Sequence, residues 1–198
     1  MLEELSVLVA ASDPIRIVPL HAPRELIQPA VGIAAPPPPL LTYRGGPLLS
    51  SVEIFTVFWG APWTTTPLTT MAQNLNDFFR FIVTSPLIDQ LMEYNEAAFP
   101  IKHGSFNASA TITSPAVGAS VTDSAIQNTL KQEIATNPAF PQPNPNLLYF
   151  VYLPPGVVAI QGGSKSCQSF CGYHGDINGQ IFYAWTCLMR TATGVWED

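Results

Sequence analysis

Val52-Glu53-Ile54-Phe55-Thr56-Val57-Phe58-Trp59 decides the fold class. The run is β-branched and aromatic, apolar on both faces, and the chain turns at its end through Gly60-Ala61-Pro62-Trp63. A strand apolar on both faces must be covered on both, which places it centrally in a sheet with helices packed on it. A second run of this kind, Leu147-Leu148-Tyr149-Phe150-Val151-Tyr152-Leu153, is stopped by Pro154-Pro155.

Helical patterns fill the interval. Thr66-Pro67 reads as a helix start, with threonine as N-cap and proline at the first helical position. Leu68, Met71, Leu75, Phe78, Phe79 and Ile82 then form one apolar stripe at three- and four-residue spacing. Ser85-Pro86 repeats the start chemistry ahead of 87–94, so two helices in series and one helix kinked at Pro86 are both consistent. Thr122-Asp123-Ser124-Ala125 opens a further helix with Ile126, Leu130 and Ile134 stacked four apart; Asn137-Pro138 ends it and a proline-rich loop follows over 138–145. Within 102–113, Phe106, Ala108, Ala110 and Ile112 fall on one face of a half-exposed edge strand.

This order predicts an α/β fold: a mixed, largely parallel sheet of about four strands with packed helices. Crossover connections force the two apolar strands to lie parallel. Residues 1–45 show no sustained period and contain Pro36-Pro37-Pro38-Pro39. Pro14, Pro19, Pro23 and Pro29 deny them helix and strand alike. They read as a Pro-rich irregular tail or linker, with Gly45-Gly46-Pro47 marking its junction with a 46–198 domain.

Composition narrows the setting. Charged residues are 11% of the 198, against about 25% in typical globular domains. Serine, threonine and asparagine take their place on the surface, which suits an extracellular or cell-wall setting. Net charge is −6 and the 8 basic residues form no cluster, so nucleic acid is excluded as a partner. No apolar run reaches the roughly 18–20 residues that span a bilayer. Met1-Leu2-Glu3-Glu4-Leu5 carries acids where a signal peptide needs positive charge, and the apolar stretch after it is short; this reads as no clear secretory signal, either absent or lost with an upstream piece.

Chemistry-bearing side chains concentrate in Cys167-Gln168-Ser169-Phe170-Cys171-Gly172-Tyr173-His174. A disulfide between Cys167 and Cys171 would close so small a ring that it stabilises by only about 2 kcal/mol or less. Isolated thiols and a zinc site with His174 are the alternatives, and the second pair of ligands usual for zinc is missing. His174 and Asp176 alternate on one face of an extended chain, as a metal-binding or proton-sharing pair would; the plainer reading is a turn into the hairpin dipeptide Asn178-Gly179. His103 stands alone as a surface residue. Gly162-Gly163-Ser164-Lys165 reads as a flexible turn. Asn107-Ala108-Ser109 is an N-glycosylation triplet that matters if the chain is secreted by a eukaryote. Three cysteines is an odd number, which in a secreted protein suggests a free thiol or a missing partner. No complete catalytic set is present.

Three blocks together resemble the EXORDIUM, or phosphate-induced protein 1, family: Ile54-Phe55-Thr56-Val57-Phe58-Trp59-Gly60, then 148–153, then Cys167-x3-Cys171-Gly172-Tyr173-His174 followed by Tyr183-Ala184-Trp185. The match covers roughly residues 46–186. The resemblance implies a secreted protein of the extracellular space or cell wall, linked in plants to growth, without an assigned chemistry. Longer relatives continue into a His-Glu-x-x-Glu-like helix reminiscent of zinc metallopeptidases. After Trp185 this chain departs from that pattern, and the expectation is a C-terminally truncated or frame-disrupted relative. The expectation is a non-catalytic secreted domain in which Cys167 and Cys171 hold the last strand. The alternative is the N-terminal part of a zincin-like metallohydrolase lacking its zinc helix, with no cofactor otherwise implied. A third option is a binding module using aromatics such as Trp59 and Trp63 on carbohydrate, although core packing is the simpler use of Trp59. A sheet edge left uncovered predicts marginal stability or self-association.

Overall fold

The two apolar runs become neighbouring parallel strands, β1 (Glu53–Trp59) and β4 (Leu147–Tyr152), in register from Glu53 opposite Leu147 to Phe58 opposite Tyr152. The computed structural model describes residues 43, 45–186 and 188. Contacts divide the chain into Met1–Arg44 and Gly45–Asp198; the Pro-rich tail predicted over 1–45 lies outside the described residues apart from Tyr43 and Gly45, and so does Cys187. From β1 the chain passes through a 3-10 turn (Ala61–Thr64), α1 (Leu68–Ile82), α2 (Pro86–Gln90) and a second 3-10 turn (Leu91–Tyr94). It then enters β2 (Ser105–Ile112), parallel to β1 at the sheet edge. A short β3 (Ser120–Thr122) leads into α3 (Asp123–Thr136), which delivers the chain to β4 on the other side of β1.

After β4, β5 (Val158–Gln161) and β6 (Ser164–Lys165) join β3 in a separate three-stranded sheet of order β3-β5-β6. The chain returns through β7 (Gly172–Ile177) and β8 (Ile181–Thr186), and the main sheet has the order β2-β1-β4-β8-β7. Four of its strands are parallel and β7 alone runs against them. The α/β reading therefore holds, with five strands in the main sheet where about four were expected. The added strand is β7. Asn178 and Gly179 take φ of 57° and 68°, the conformation of a tight hairpin turn, and fold β7 back onto β8.

Because β2 and β4 lie on opposite sides of β1, right-handed crossovers put α1 and α3 on opposite faces of the sheet. Two separate cores follow. Ile126, Leu130 and Ile134 of α3 pack on Phe55, Val57, Leu147, Tyr149, Val151, Tyr183 and Trp185. Leu68 and Phe79 of α1 pack on Ile54, Phe58 and Tyr152, with Trp63 and Val83 beside them. Thr122 caps α3 as predicted, its Oγ1 accepting the Ala125 N–H at 3.2 Å. Thr66 does not cap α1, which begins at Leu68 with no side-chain cap. Phe78, placed in the apolar stripe, faces solvent; a helix on a flat sheet buries a narrower arc than the sequence stripe covers. Pro86 starts a separate helix after the break at 83–85. A polar chain, buried at its inner end, ties α1 to the sheet: Thr56 Oγ1 donates to Asn76 Oδ1 at 2.6 Å, and Asn76 Nδ2 donates to the exposed Ser109 Oγ at 3.2 Å.

The edge strand corrects one detail. Ile54 pairs with Phe106 but Phe55 pairs with Ala108, so Asn107 is an extra, bulged residue. The bulge reverses the alternation: Phe106 packs on the α1 side, where the Arg80 guanidinium lies 4.4 Å over its ring, while Ala108 and Ala110 pack on the α3 side.

Candidate functional site at the carboxyl end of the sheet

Open α/β sheets hold ligands outside the carboxyl ends of their strands, where successive crossovers diverge. Here that point lies between β1 and β4, and it is closed. Gly60 after β1 has φ 133°, and a Cβ there would come 2.5 Å from Cγ of Pro154, which follows β4. Only glycine lets the proline pack so closely over the crevice. The opening is displaced to one side. A groove of about 470 Å³ runs between α3 and the segment that leaves β2. Trp59, Pro115, Val121 and Ala125 give it apolar walls. Ser120, Asn128, Thr129 and Gln132 give it hydroxyl and amide groups, and no charged side chain lines it. The Trp59 indole N–H donates to the Pro115 carbonyl at 2.8 Å, which fixes one wall to the other.

The opposite flank of α3 carries a hydrogen-bonded cluster. Tyr173 Oη and Tyr183 Oη both donate to Asp123 Oδ1, at 2.8 and 2.6 Å. Gln127 Nε2 donates to Asp123 Oδ2 at 2.8 Å and to Tyr183 Oη at 3.0 Å. Burial first, then the hydrogen bond to Asp123, raises both phenols; Tyr183 is pushed up to about 12. Phenols held neutral in this way act as donors, not as bases. Gly175 makes room for the Tyr183 ring, since a Cβ there would sit 3.1 Å from Tyr183 Oη. The cluster clamps the head of α3 to the β7–β8 hairpin. No local pattern announces it, because Asp123 lies 50 and 60 positions from its two tyrosines.

The residues singled out from sequence lie elsewhere. Cys167 and Cys171 are both exposed free thiols, so the expected bridge is not what holds the last strand. Backbone hydrogen bonds close their loop instead: Cys167 N–H to Phe170 C=O at 2.8 Å and Ser169 N–H to Lys165 C=O at 3.0 Å. Phe170 anchors it by setting its ring edge-on to Tyr173 and Trp185. Gly162 and Gly163 do form a turn, but one that joins β5 to β6 as a hairpin.

His174 and Asp176 share the outer face of β7, both exposed. The Asp176 carboxylate accepts the Gly179 N–H at 2.6 Å and thereby braces the hairpin turn. Two donors without a third do not make a zinc site, and no group of three His, Cys, Asp or Glu side chains among the described residues could hold a metal ion. His103 does not stand alone: its Nε2 lies 2.8 Å from Asp89 Oδ1. Trp59 and Trp63 are 3% and 1% exposed, so neither offers a sugar-stacking platform on the surface. Asn107 is exposed on its bulge, open to modification. No helix among the described residues is long and apolar enough to cross a membrane. Comparison with protein-family models, with curated proteins and with solved structures gave no match to this chain.

Proposed function

We propose that this chain is a secreted EXORDIUM-like domain of the extracellular space or cell wall that works by binding and not by catalysis. One observation carries the reading. The carboxyl end of the sheet, where an α/β enzyme would place its reactive groups, uses its Asp123 carboxylate to accept two hydrogen bonds from the hairpin and a third from Gln127 of its own helix, and leaves an uncharged groove on the other flank of α3. The low charge content and the exposed Asn107 triplet agree with an extracellular surface. Expression through a eukaryotic secretory pathway, behind an added leader, tests it. The protein is expected to emerge folded, with a glycosidase-sensitive mass increment that Asn107→Gln removes; retention as misfolded material would overturn the extracellular assignment. Stoichiometric zinc in the purified protein would overturn the non-catalytic one.

The second reading, the N-terminal part of a zincin-like hydrolase, is favoured by a different feature. On the α1 side of β7, His174 and Asp176 are exposed and no helix among the described residues covers them. A ligand-bearing helix supplied by a longer chain would find open sheet there. In-frame coding sequence for a His-Glu helix after β8, with metal-dependent hydrolysis by the extended protein, is what would establish it.

A further inference from the structure

We infer that the groove between α3 and the segment following β2 is a binding site for a neutral saccharide, an inference that rests on reading this domain as an extracellular binding module. Three observations converge. Its volume, about 470 Å³, lies within the range of roughly 300–1,000 Å³ found for small-molecule sites. Its position beside the closed β1–β4 crevice is the end of the sheet where α/β folds bind ligands. Its chemistry is selective. Asn128 and Gln132 stand four apart on α3, one above the other on the same helix face, and both side chains are exposed. Each offers an amide that donates and accepts at once, the pairing a sugar hydroxyl requires. Thr129 and Ser120 add hydroxyls between and beyond them, and Pro115 with Ala125 gives an apolar wall for the C–H face of a pyranose ring.

The lining also says what does not bind. A phosphate, a carboxylated sugar or a nucleotide needs a cation or a row of free backbone N–H groups, and the lining has no Lys, Arg or His. The N-terminal turn of α3 does not supply one either: Thr122 Oγ1 takes the Ala125 N–H, and the Asp123 carboxylate sits at the helix head, where it repels anions. A metal is excluded from the groove by the lack of carboxylates, imidazoles and thiols. The hydroxyl and amide lining favours a neutral, hydroxyl-rich ligand.

The test uses the whole chain, uniformly 15N-labelled, titrated separately with cello-, laminari- and chito-oligosaccharides and with an oligogalacturonide as the anionic control. At least one neutral saccharide is expected to shift the side-chain amide signals of Asn128 and Gln132 together with backbone amide signals of 116–118 and 120–132. The double variant Asn128→Ala, Gln132→Ala, whose positions are exposed and outside both cores, should keep the folded spectrum and lose about tenfold in affinity, the loss expected for two hydrogen bonds. Binding of the oligogalacturonide alone, saccharide shifts that map elsewhere, or no shift with any neutral saccharide at millimolar concentration would each overturn the assignment. Those results would leave the extracellular reading standing, because glycosylation at Asn107 tests that independently.

Discussion

The two faces of the main sheet are built to different standards. On the α3 side, Ile126, Leu130 and Ile134 dock on the inward residues of β1, β4 and β8, and the Asp123 cluster fastens the helix to the far hairpin. On the α1 side, the helix covers β1, β2 and part of β4, while His174 and Asp176 of β7 remain exposed. The apolar surplus of that side turns outward. Phe78 and Phe81 of α1 are 52% and 68% exposed, and Leu87, Leu91, Met92 and Tyr94 of α2 and its 3-10 extension are exposed as well. One face is a finished core; the other is a surface that gains by being covered.

The sharpest way to break this contrast is a pair of truncations. Leu130→Ala removes a 2% exposed side chain from the α3 core and should cost about 2–5 kcal/mol in urea unfolding. Leu75→Ala, on the half-buried face of α1, should cost about 1 kcal/mol. Equal losses would erase the distinction between the faces.

A smaller effect tests the clamp. A phenol whose pKa is raised on folding keeps its proton more tightly in the folded chain. Its contribution is therefore complete below the unfolded value near 10 and disappears as pH climbs through the folded value. Stability should accordingly fall between pH 10 and about 12, where Tyr183 titrates. Tyr183→Phe should flatten that decline, leaving the parts due to Tyr149, Tyr152 and Tyr173, which burial also raises. An unchanged alkaline slope in the variant would remove Tyr183 from the account.

The smallest effect on stability belongs to these outward apolar residues. Phe81→Ser with Leu91→Ser should alter monomer stability by no more than about 0.5 kcal/mol per site. It should abolish the concentration-dependent association that the wild-type side chains are expected to drive, as read by sedimentation velocity. A wild-type chain that stays monomeric at all concentrations would contradict this.

How much of this was legible in the sequence divides along the same lines. β1, β4 and α3 announce themselves because burial on both faces, or stacking four apart beneath a threonine cap, is a local pattern. β2 was legible as an edge, yet its alternation misled: the bulge at Asn107 depends on pairing with β1 and leaves no mark of its own, so Phe106 was placed on the wrong face. β3, β5 and β6 hold 3, 4 and 2 residues, too short for any period to register. The cysteines drew attention by chemistry while Ser166 and Phe170 between them do the holding: the Ser166 Oγ accepts the Ala159 N–H at 2.9 Å with the serine fully buried. The Asp123 cluster and the groove join residues distant in sequence, and only the sheet order brings them together.

Amide hydrogen exchange resolved to single residues tests the unequal faces most directly. Amides of α3 around Ile126–Ile134 are expected to open only with global unfolding, at the free energy given by the denaturant melt, while those of α1 open at a clearly lower free energy. Equal protection in the two helices, or greater protection in α1, would contradict this.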